Sequence, residues 1–320
     1  MSSSTASVRP VRDQEAAPAR AARRGTTRRS SSAGGRPGAG RNVLAHAFLV
    51  ILIVYFLLPL WWLIVASTKD SHGLFSGTGG ALWFDKTFAL FDNVKQLFTY
   101  NGGIYWRWLG NSFLYALTGG VGATVLAVLA GYGFAKFAFR GRRISLALLL
   151  GSVMVPLTAL VIPTFLLMAQ FHLIDTVWSV ILPSLLSPFG VYLMQVYATD
   201  AVPTELLDAA RVDGAGELRT FVQVALPLLR PAVVTVLLLS VVATWNNYFL
   251  PLTVLSSEKL YPVTVGIGQW QSLANSNGAT DTPLFPLIVV GSLISIIPLV
   301  VSFLLLQRYW QGGLSVGSLK

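Results

Sequence analysis

Side chains able to do chemistry are few in this 320-residue chain. The absence of cysteine excludes disulfides, thiolate metal sites and cysteine nucleophiles. The only histidines, His46, His72 and His172, are too far apart in sequence to form a recognisable metal-ligand pattern. Two stretches remain of interest: an acidic cluster within 205–217 and a run of aromatic and amide side chains at 245–248.

The run at 245–248 combines side chains that can contact a polar solute. Aromatic faces stack on rings and amides hydrogen-bond to hydroxyl groups, so the candidate contacts are Trp245, Asn246, Asn247 and Tyr248. In a transport protein they would be the candidate path residues. Consecutive residues of a helix point in different directions, so only some of them can line one cavity. The alternative is that the asparagines hydrogen-bond to a neighbouring helix inside a membrane.

The elements that must position these residues are long and apolar. The chain is 54% hydrophobic and only 11% charged, whereas a soluble domain is about 25% charged. This composition excludes an ordinary soluble enzyme. About 20 apolar residues in a helix cross a bilayer, and six charge-free intervals are long enough. They predict an all-α integral membrane protein with spans at about 43–66, 111–134, 144–168, 176–197, 231–254 and 284–306. The runs lack the two-residue alternation of barrel strands.

Two regions depart from this simple pattern. The uncharged stretch 260–280 is rich in Gly, Asn, Ser and Gln, which predicts a solvent-facing loop. Pro156 and Pro163 predict a kink in the third span, with a functional hinge as the alternative. No predicted span contains Asp, Glu, Lys or Arg, which argues against a proton relay within them.

The distribution of basic residues predicts the orientation. Of the 23 Lys and Arg residues, 18 fall on the side that holds the N-terminus and five on the other, so both termini are expected in the cytoplasm. Nine lie in the tail 1–41, which is predicted to be disordered, with contact to anionic lipid headgroups as an alternative. This tail is not a folded basic face, so no nucleic-acid partner is expected.

On the outer side, segment 67–107 is rich in aromatic residues. Those near the span ends are typical of the interfacial belt of a membrane protein. Those further out are either part of the same belt or a contact surface for an external partner.

The cytoplasmic loop between spans four and five, residues 200–231, is long and polar. Asp200 is predicted to cap a short helix that begins near Pro203, and Gly214 to end it in a left-handed conformation. A second short helix is predicted over 216–225.

Small residues in this loop form a predicted patch surrounded by charge. The small residues are Ala209, Ala210 and Gly214, and the charged ones are Glu205, Asp208, Arg211 and Asp213. Such a patch would allow close approach by another backbone.

The loop resembles that of permeases of ATP-binding-cassette (ABC) importers. Their pattern of Glu-Ala-Ala, Gly, Ile and Leu-Pro is matched here, with every spacing kept, by Asp208-Ala209-Ala210, Gly214, Val224 and Leu226-Pro227. Three segments resemble the carbohydrate-uptake branch of these permeases, specifically the six-span maltose type. They are PTELLDAARVDGAG in the loop, ATWNNYFLPL in span five and QRYWQGGLSVGSLK at the C-terminus. The resemblance covers 43–320 and places the transmembrane domain at 42–307.

The resemblance implies a transport subunit of a bacterial inner membrane and not an enzyme. The loop 203–227 would be a coupling segment that seats in a cytoplasmic ATPase dimer, and the C-terminal tail, 308–320, would contact the same subunit. The ATPase would bind ATP and Mg. This chain has no Gly-x-x-x-x-Gly-Lys-Ser/Thr loop and is expected to bind no cofactor. The other implied partners are a related second permease, an external solute-binding protein and the lipid bilayer.

The sequence leaves three alternatives open. An importer of this kind could carry a non-sugar polar solute, such as a glycerophosphodiester or a polyol. An ion-coupled secondary transporter would need acidic residues inside the membrane, which the predicted spans lack. A membrane-embedded enzyme would need carboxylates or histidines gathered at one face, and the cluster 205–217 is already accounted for by the importer pattern.

Overall fold

The computed structural model describes residues 39–76, 79–276 and 283–314, and the regular elements within them are helical. The α-helices are α1 (Ala39–Ser67), α2 (Ser71–Ser76), α3 (Leu90–Thr99), α4 (Ile104–Lys136), α5 (Arg142–Val153), α6 (Val161–Gln170), α7 (Trp178–Ser184), α8 (Pro188–Ala201), α9 (Thr204–Val212), α10 (Glu217–Thr220), α11 (Leu226–Trp245), α12 (Phe249–Val254), α13 (Val263–Asn275) and α14 (Leu284–Leu314).

The chain divides into two compact units, one up to Val54 and one from Tyr55 onward. In the first unit the described residues are the first half of α1. The second unit holds all other helices and all the candidate functional residues.

Five helical segments within the described residues are long and apolar enough to cross a membrane: Val43–Ser67, Leu90–Lys136, Trp178–Ala201, Glu217–Trp245 and Leu284–Gln307. A bent pair, Arg142–Val153 and Leu157–Gln170, provides a sixth candidate span. These segments confirm an all-helical, multi-pass membrane protein with the predicted order of spans.

The third span is not the single kinked helix that the sequence predicts. Its two halves meet at an angle of 99°. Pro156 lies at the break with extended backbone (φ −58°, ψ 128°), and a proline restricts the residue before it to extended conformations. Pro163 lies in the first turn of α6, where a missing N–H costs little because that turn has no intrahelical acceptor. Only Pro156 therefore interrupts the span.

The fifth span differs from the predicted 231–254 at both ends. It begins at Glu217 and ends at Trp245, so the separate short helix predicted at 216–225 is in fact its first turns. Residues Phe221–Ala225 form a π-helical turn, in which the N–H of Leu226 donates to the carbonyl of Phe221. This wider turn lies directly before Pro227, which has no N–H to continue an α-helical register.

The prediction of a loop over 260–280 is wrong for the described part, which contains α13. Val263 and Trp270 are buried, and Ile267 and Ala274 pack against the same cluster. Their spacing of four, three and four residues is that of an amphipathic helix. Because polar residues and glycines lie between these apolar positions, the composition of the stretch suggested a loop although the spacing is helical.

Three buried clusters hold the second unit together. One joins α4, α8 and α11 around Met194, another is an aromatic cluster around Trp108 and Trp270, and the third surrounds Tyr115. Close approach of the helices in the first cluster depends on glycine. A Cβ atom added at Gly131 would lie 2.5 Å from Cβ of Met194. Small residues of this kind are typical of helix interfaces in membranes.

The predicted tails are described only in part. Helix α1 begins at Ala39, within the predicted tail 1–41, and residues 1–38 lie outside the described residues. Helix α14 continues to Leu314, so the first half of the predicted tail 308–320 is helical, and 315–320 lie outside the described residues.

Candidate coupling site and candidate path residues

The predicted coupling helix is α9, and it begins one residue after Pro203. The predicted cap at Asp200 is wrong, because Asp200 lies in the last turn of α8. Val202 is extended (φ −114°, ψ 99°), as expected for a residue that precedes proline. Pro203, and not an acidic cap, therefore separates the two helices.

One face of α9 is anchored in the protein. Leu207 is only 2% exposed and belongs to the buried cluster that includes Val202, Tyr132 and Ala225. These residues come from both ends of the loop and from α4. The coupling helix is therefore packed on the membrane helices and does not extend freely from them.

The opposite face of α9 is open. Successive residues of an α-helix are about 100° apart, which places Ala209 and Val212 on the side away from Leu207. Ala209 is exposed, and Val212 is 87% exposed. Leu218, in α10, is also strongly exposed. Apolar side chains thus lie on the surface of an otherwise polar segment.

Arg211 joins α9 to α10 through two carboxylates. Its Nη1 lies 2.8 Å from Oδ1 of Asp208, and its Nε lies 2.9 Å from Oε1 of Glu217. The hydrogen bond to Glu217, followed by the one to Asp208, raises the pKa of the guanidinium above its usual value. Arg211 therefore stays charged, and the ion pairs link the two sides of the turn at 213–216.

The left-handed stop predicted at Gly214 is confirmed. Gly214 has φ +79°, and the N–H of Ala215 donates to the carbonyl of Ala210 at 2.9 Å. A Cβ atom added at Gly214 would meet nothing within 4 Å. Glycine is needed here for its backbone conformation, and the space around it is open.

The other predicted coupling residues lie along α9, at its C-terminal end and at the start of α11. Glu205, Asp208 and Asp213 are exposed and Ala210 is half-buried. Leu226 and Pro227 lie further along, in the first turn of α11, both half-buried. Contact of these residues with an ATPase stays a prediction.

The candidate path residues lie where α11 ends and α12 begins. Trp245 is the last residue of α11 and is buried, with its ring centroid 5.0 Å from that of Phe113. Asn246 is exposed, and its Nδ2 donates to the carbonyl of Val242 at 3.0 Å. That carbonyl also accepts from the backbone N–H of Asn246 at 3.1 Å, so the side chain adds a second hydrogen bond at the end of the helix.

The next two residues contact α13. The carbonyl of Asn247 accepts from Oγ1 of Thr264 at 2.9 Å. Tyr248 packs on Gly268, where an added Cβ would lie 2.7 Å from Cε2 of the ring. Of the four candidates, Asn246 is the one whose side chain is open, and its role in a path stays a prediction.

A second polar network, which sequence reasoning missed, holds the loop between α12 and α13 on α4. Nδ2 of Asn111 donates to the carbonyls of Lys259 and Tyr261, at 2.9 and 3.0 Å. The hydroxyl of Ser112 accepts from the N–H of Val263, and that of Tyr115 donates to the carbonyl of Leu260, both at 2.8 Å. These side chains lie on one face of α4 and fix the loop in place.

The same loop is held from a second direction by Asp175. Oδ1 of Asp175 accepts from the N–H groups of Ser256 and Ser257, at 2.9 and 2.8 Å. Asp175 itself has φ +57°, an uncommon conformation for a residue other than glycine. The only sequence signal for this site was an isolated acid between two apolar runs.

The carboxylate also affects Tyr261. Burial, followed by the charges of Glu258 and Asp175, raises the pKa of the Tyr261 phenol. Its hydroxyl therefore keeps its proton and donates to the carbonyl of Ser256 at 3.2 Å.

Together, the apolar helices, the interrupted spans and the exposed polar loop define a multi-pass membrane protein of the transporter class. Residues 123–315 match the family described as "Binding-protein-dependent transport system inner membrane component". The chain belongs to this family, and it is a transport permease subunit.

Relatives support this assignment along most of the chain. It is 35% identical to the arabinooligosaccharide transport system permease protein AraQ of Bacillus subtilis, over 85% of this chain and 94% of that protein. It is 30% identical to the lactose transport system permease protein LacG of Rhizobium radiobacter, over 87% and 96%. The sn-glycerol-3-phosphate permease UgpE of Pectobacterium atrosepticum is 26% identical, over 86% and 96%.

A solved structure has the same fold. One chain of a bacterial ABC transporter involved in the import of the acidic polysaccharide alginate superposes with a TM-score of 0.72. The match covers 84% of this chain and 96% of that chain at 21% sequence identity. At this identity the likeness establishes the fold alone.

Proposed function

We propose that this chain forms half of the translocation path of an ABC importer for a sugar or an oligosaccharide. The observation that carries the choice of solute is the 35% identity, over 85% of the chain, to a permease named for arabinooligosaccharides. A relative at 30% identity is named for lactose. The second candidate is a phosphorylated polyol, which the relative named for sn-glycerol-3-phosphate favours at 26% identity.

The loop 203–227 couples this chain to a separate ATPase. Support comes from the two faces of α9: Leu207 packs into the membrane helices, whereas Ala209 and Val212 face outward with no cover. Exposed apolar side chains beside small residues are suited to seat in a cleft of another protein. The open space at Gly214 allows the partner backbone to come close.

The ATPase subunits form a dimer on the cytoplasmic side and bind ATP and Mg there. In this arrangement both termini of the chain are cytoplasmic, as the excess of basic residues on that side predicts. A related second permease completes the path, and an external binding protein delivers the solute. The segment 308–320 contacts the ATPase.

Within the path, Asn246 is the proposed contact for solute hydroxyl groups. It is exposed at the end of α11, at a break between two helices. Interrupted membrane helices are where transporters commonly bind their substrates. Trp245 and Tyr248 then support the break by packing against Phe113 and Gly268.

Uptake by the reconstituted complex tests the proposed function. The chain is placed in liposomes with its ATPase, second permease and binding protein, and labelled arabinooligosaccharide and glycerol-3-phosphate are supplied with ATP inside or outside. The proposal predicts sugar uptake that requires both the binding protein and ATP on the ATPase side. Uptake of glycerol-3-phosphate alone would favour the second candidate. Uptake driven by an ion gradient without the ATPase would contradict both.

A further inference from the structure

The last turn of α4 contacts the chain immediately before the coupling helix. Nζ of Lys136, the final residue of α4, donates to the carbonyl of Val202 at 2.6 Å and to that of Thr199 at 3.3 Å. Val202 is fully buried and precedes Pro203, after which α9 begins. A single cation therefore fixes the backbone at the entry to α9.

The backbone at this junction lacks one hydrogen-bond donor. In a continuous helix the N–H of residue 203 would bond to the carbonyl of Thr199, but Pro203 has no N–H. The ammonium of Lys136 donates to the carbonyl of Thr199 instead. A cation at this position also offsets the negative end of the α8 dipole.

The same turn of α4 also contacts the chain after the coupling helix. The ring of Tyr132, one turn before Lys136, has its centroid 4.9 Å from that of Phe221 in the π-helical turn. Tyr132 is buried in the cluster that includes Leu207 and Val202. The end of α4 thus holds both ends of the segment 203–220.

We propose that Lys136 is a positioning residue for energy coupling. By tying α4 to the backbone before Pro203, it makes α9 and α4 move together, so that a push on α9 reaches the membrane helices and is not absorbed at the proline junction. Lys136 touches neither nucleotide nor solute. The inference rests on the proposed role of the loop 203–227.

The test compares Lys136→Met with Arg140→Met in the reconstituted complex. Arg140 is an exposed cation four residues away, and it makes no hydrogen bond or ion pair with the described parts of the chain. The readouts are ATP hydrolysed per solute imported and the stimulation of hydrolysis by the binding protein. Loss of a charged hydrogen bond predicts a rise of about tenfold in ATP per solute for Lys136→Met. Arg140→Met should match the wild type.

Restoring a charged donor at position 136 distinguishes a positioning role of Lys136 from a purely structural one. Lys136→Arg, which keeps a charged donor, should retain most of the coupling. Because the wild-type chain has no cysteine, Lys136→Cys can be assembled first and then aminoethylated, which restores an ammonium at nearly the original length. Recovery of the wild-type ATP-to-solute ratio on the assembled complex is the expected result.

Each other outcome counts against the inference. An assembled Lys136→Met complex with the wild-type ratio, or no recovery on aminoethylation, overturns it. Failure of all neutral variants to assemble assigns Lys136 to folding and overturns it as well. If the wild-type complex shows neither uptake nor ATP hydrolysis that the binding protein stimulates, the proposed function itself is overturned.

Discussion

Gly266 of α13 lies directly against the indole ring of Trp108 in α4. A Cβ atom built on Gly266 would lie 2.2 Å from Cε3 of that ring, closer than any real contact. Trp108 is fully buried, and its Nε1 donates to the carbonyl of Glu258 at 2.9 Å. This pair joins α13 and the loop before it to α4, so the segment that was expected to be a free loop is part of the core.

Replacing Gly266 with alanine should therefore destabilise the protein. Overpacking of this kind typically costs about 1–3 kcal/mol, and here the added methyl group would overlap a fully buried indole ring. Thermal unfolding in detergent, followed by the loss of monodisperse protein, measures the effect. Gly110→Ala in α4 is the matched control, because a Cβ there meets nothing within 4 Å. Equal unfolding temperatures for the two variants would contradict the packing described.

Substitutions that add bulk and charge to the open face of α9 should uncouple transport from ATP hydrolysis. Ala209→Arg is compatible with the helix and leaves Leu207 in place, so the chain should insert and assemble normally while the arginine blocks a close partner. We expect ATP-driven uptake to fall by at least about tenfold, on the scale of a lost interface anchor. Gln96→Arg, on an exposed position of α3, is the control.

Gly214→Asp should have the same effect, with an added backbone cost because of the left-handed conformation at that position. Normal uptake by both Ala209→Arg and Gly214→Asp would show that this face meets no partner.

Loss of the Arg211 bridge should loosen the turn between α9 and α10. Arg211→Met removes the hydrogen bonds to Asp208 and Glu217 without affecting the buried cluster. We expect normal expression, a faster amide hydrogen exchange over 213–217 and less uptake per ATP. Arg219→Met is the control, since Arg219 bonds only to Gln223 within the described residues. Unchanged exchange over 213–217 would mean that the ion pairs do not order the turn.

Single cysteines in this cysteine-free chain test the orientation. Phe91, on α3, is 78% exposed, and Val212 is 87% exposed, so both positions should react readily with a maleimide. In spheroplasts, a membrane-impermeant maleimide should label Phe91→Cys at once and Val212→Cys only after the membrane is permeabilised. The reverse order of labelling would place the loop 203–227 outside the cell.

Much of this architecture follows from hydropathy. Six charge-free intervals predicted, in their order, the five long apolar helices and the bent pair that the described residues contain, because a helix that crosses a bilayer must be apolar along its whole length. The pattern at 208–227 likewise led to the right family, and Gly214 ends its helix as predicted. These features depend on the local sequence alone.

The missed features depend on contacts between distant residues. Helix α13 mixes apolar residues with Gly, Gln and Ser, and its buried face packs on Trp108, a residue about 160 positions away in the sequence. Asn111 and Asp175 bind backbone groups about 150 and 80 residues away in sequence, and no local pattern predicts such partners. The end of the fifth span was misplaced because the sequence remains apolar through 249–254 after the helix has ended at Trp245.

Photocrosslinking from position 212 shows whether α9 contacts the ATPase subunit. Val212 is replaced by p-benzoylphenylalanine in the assembled transporter, with the same substitution at Phe91 as the control on the other side of the membrane. The proposed coupling role of α9 predicts a light-dependent adduct between position 212 and the ATPase subunit, and none between position 91 and that subunit. Adducts from position 212 only with lipid or with the external binding protein, in a complex that still imports solute, would contradict it.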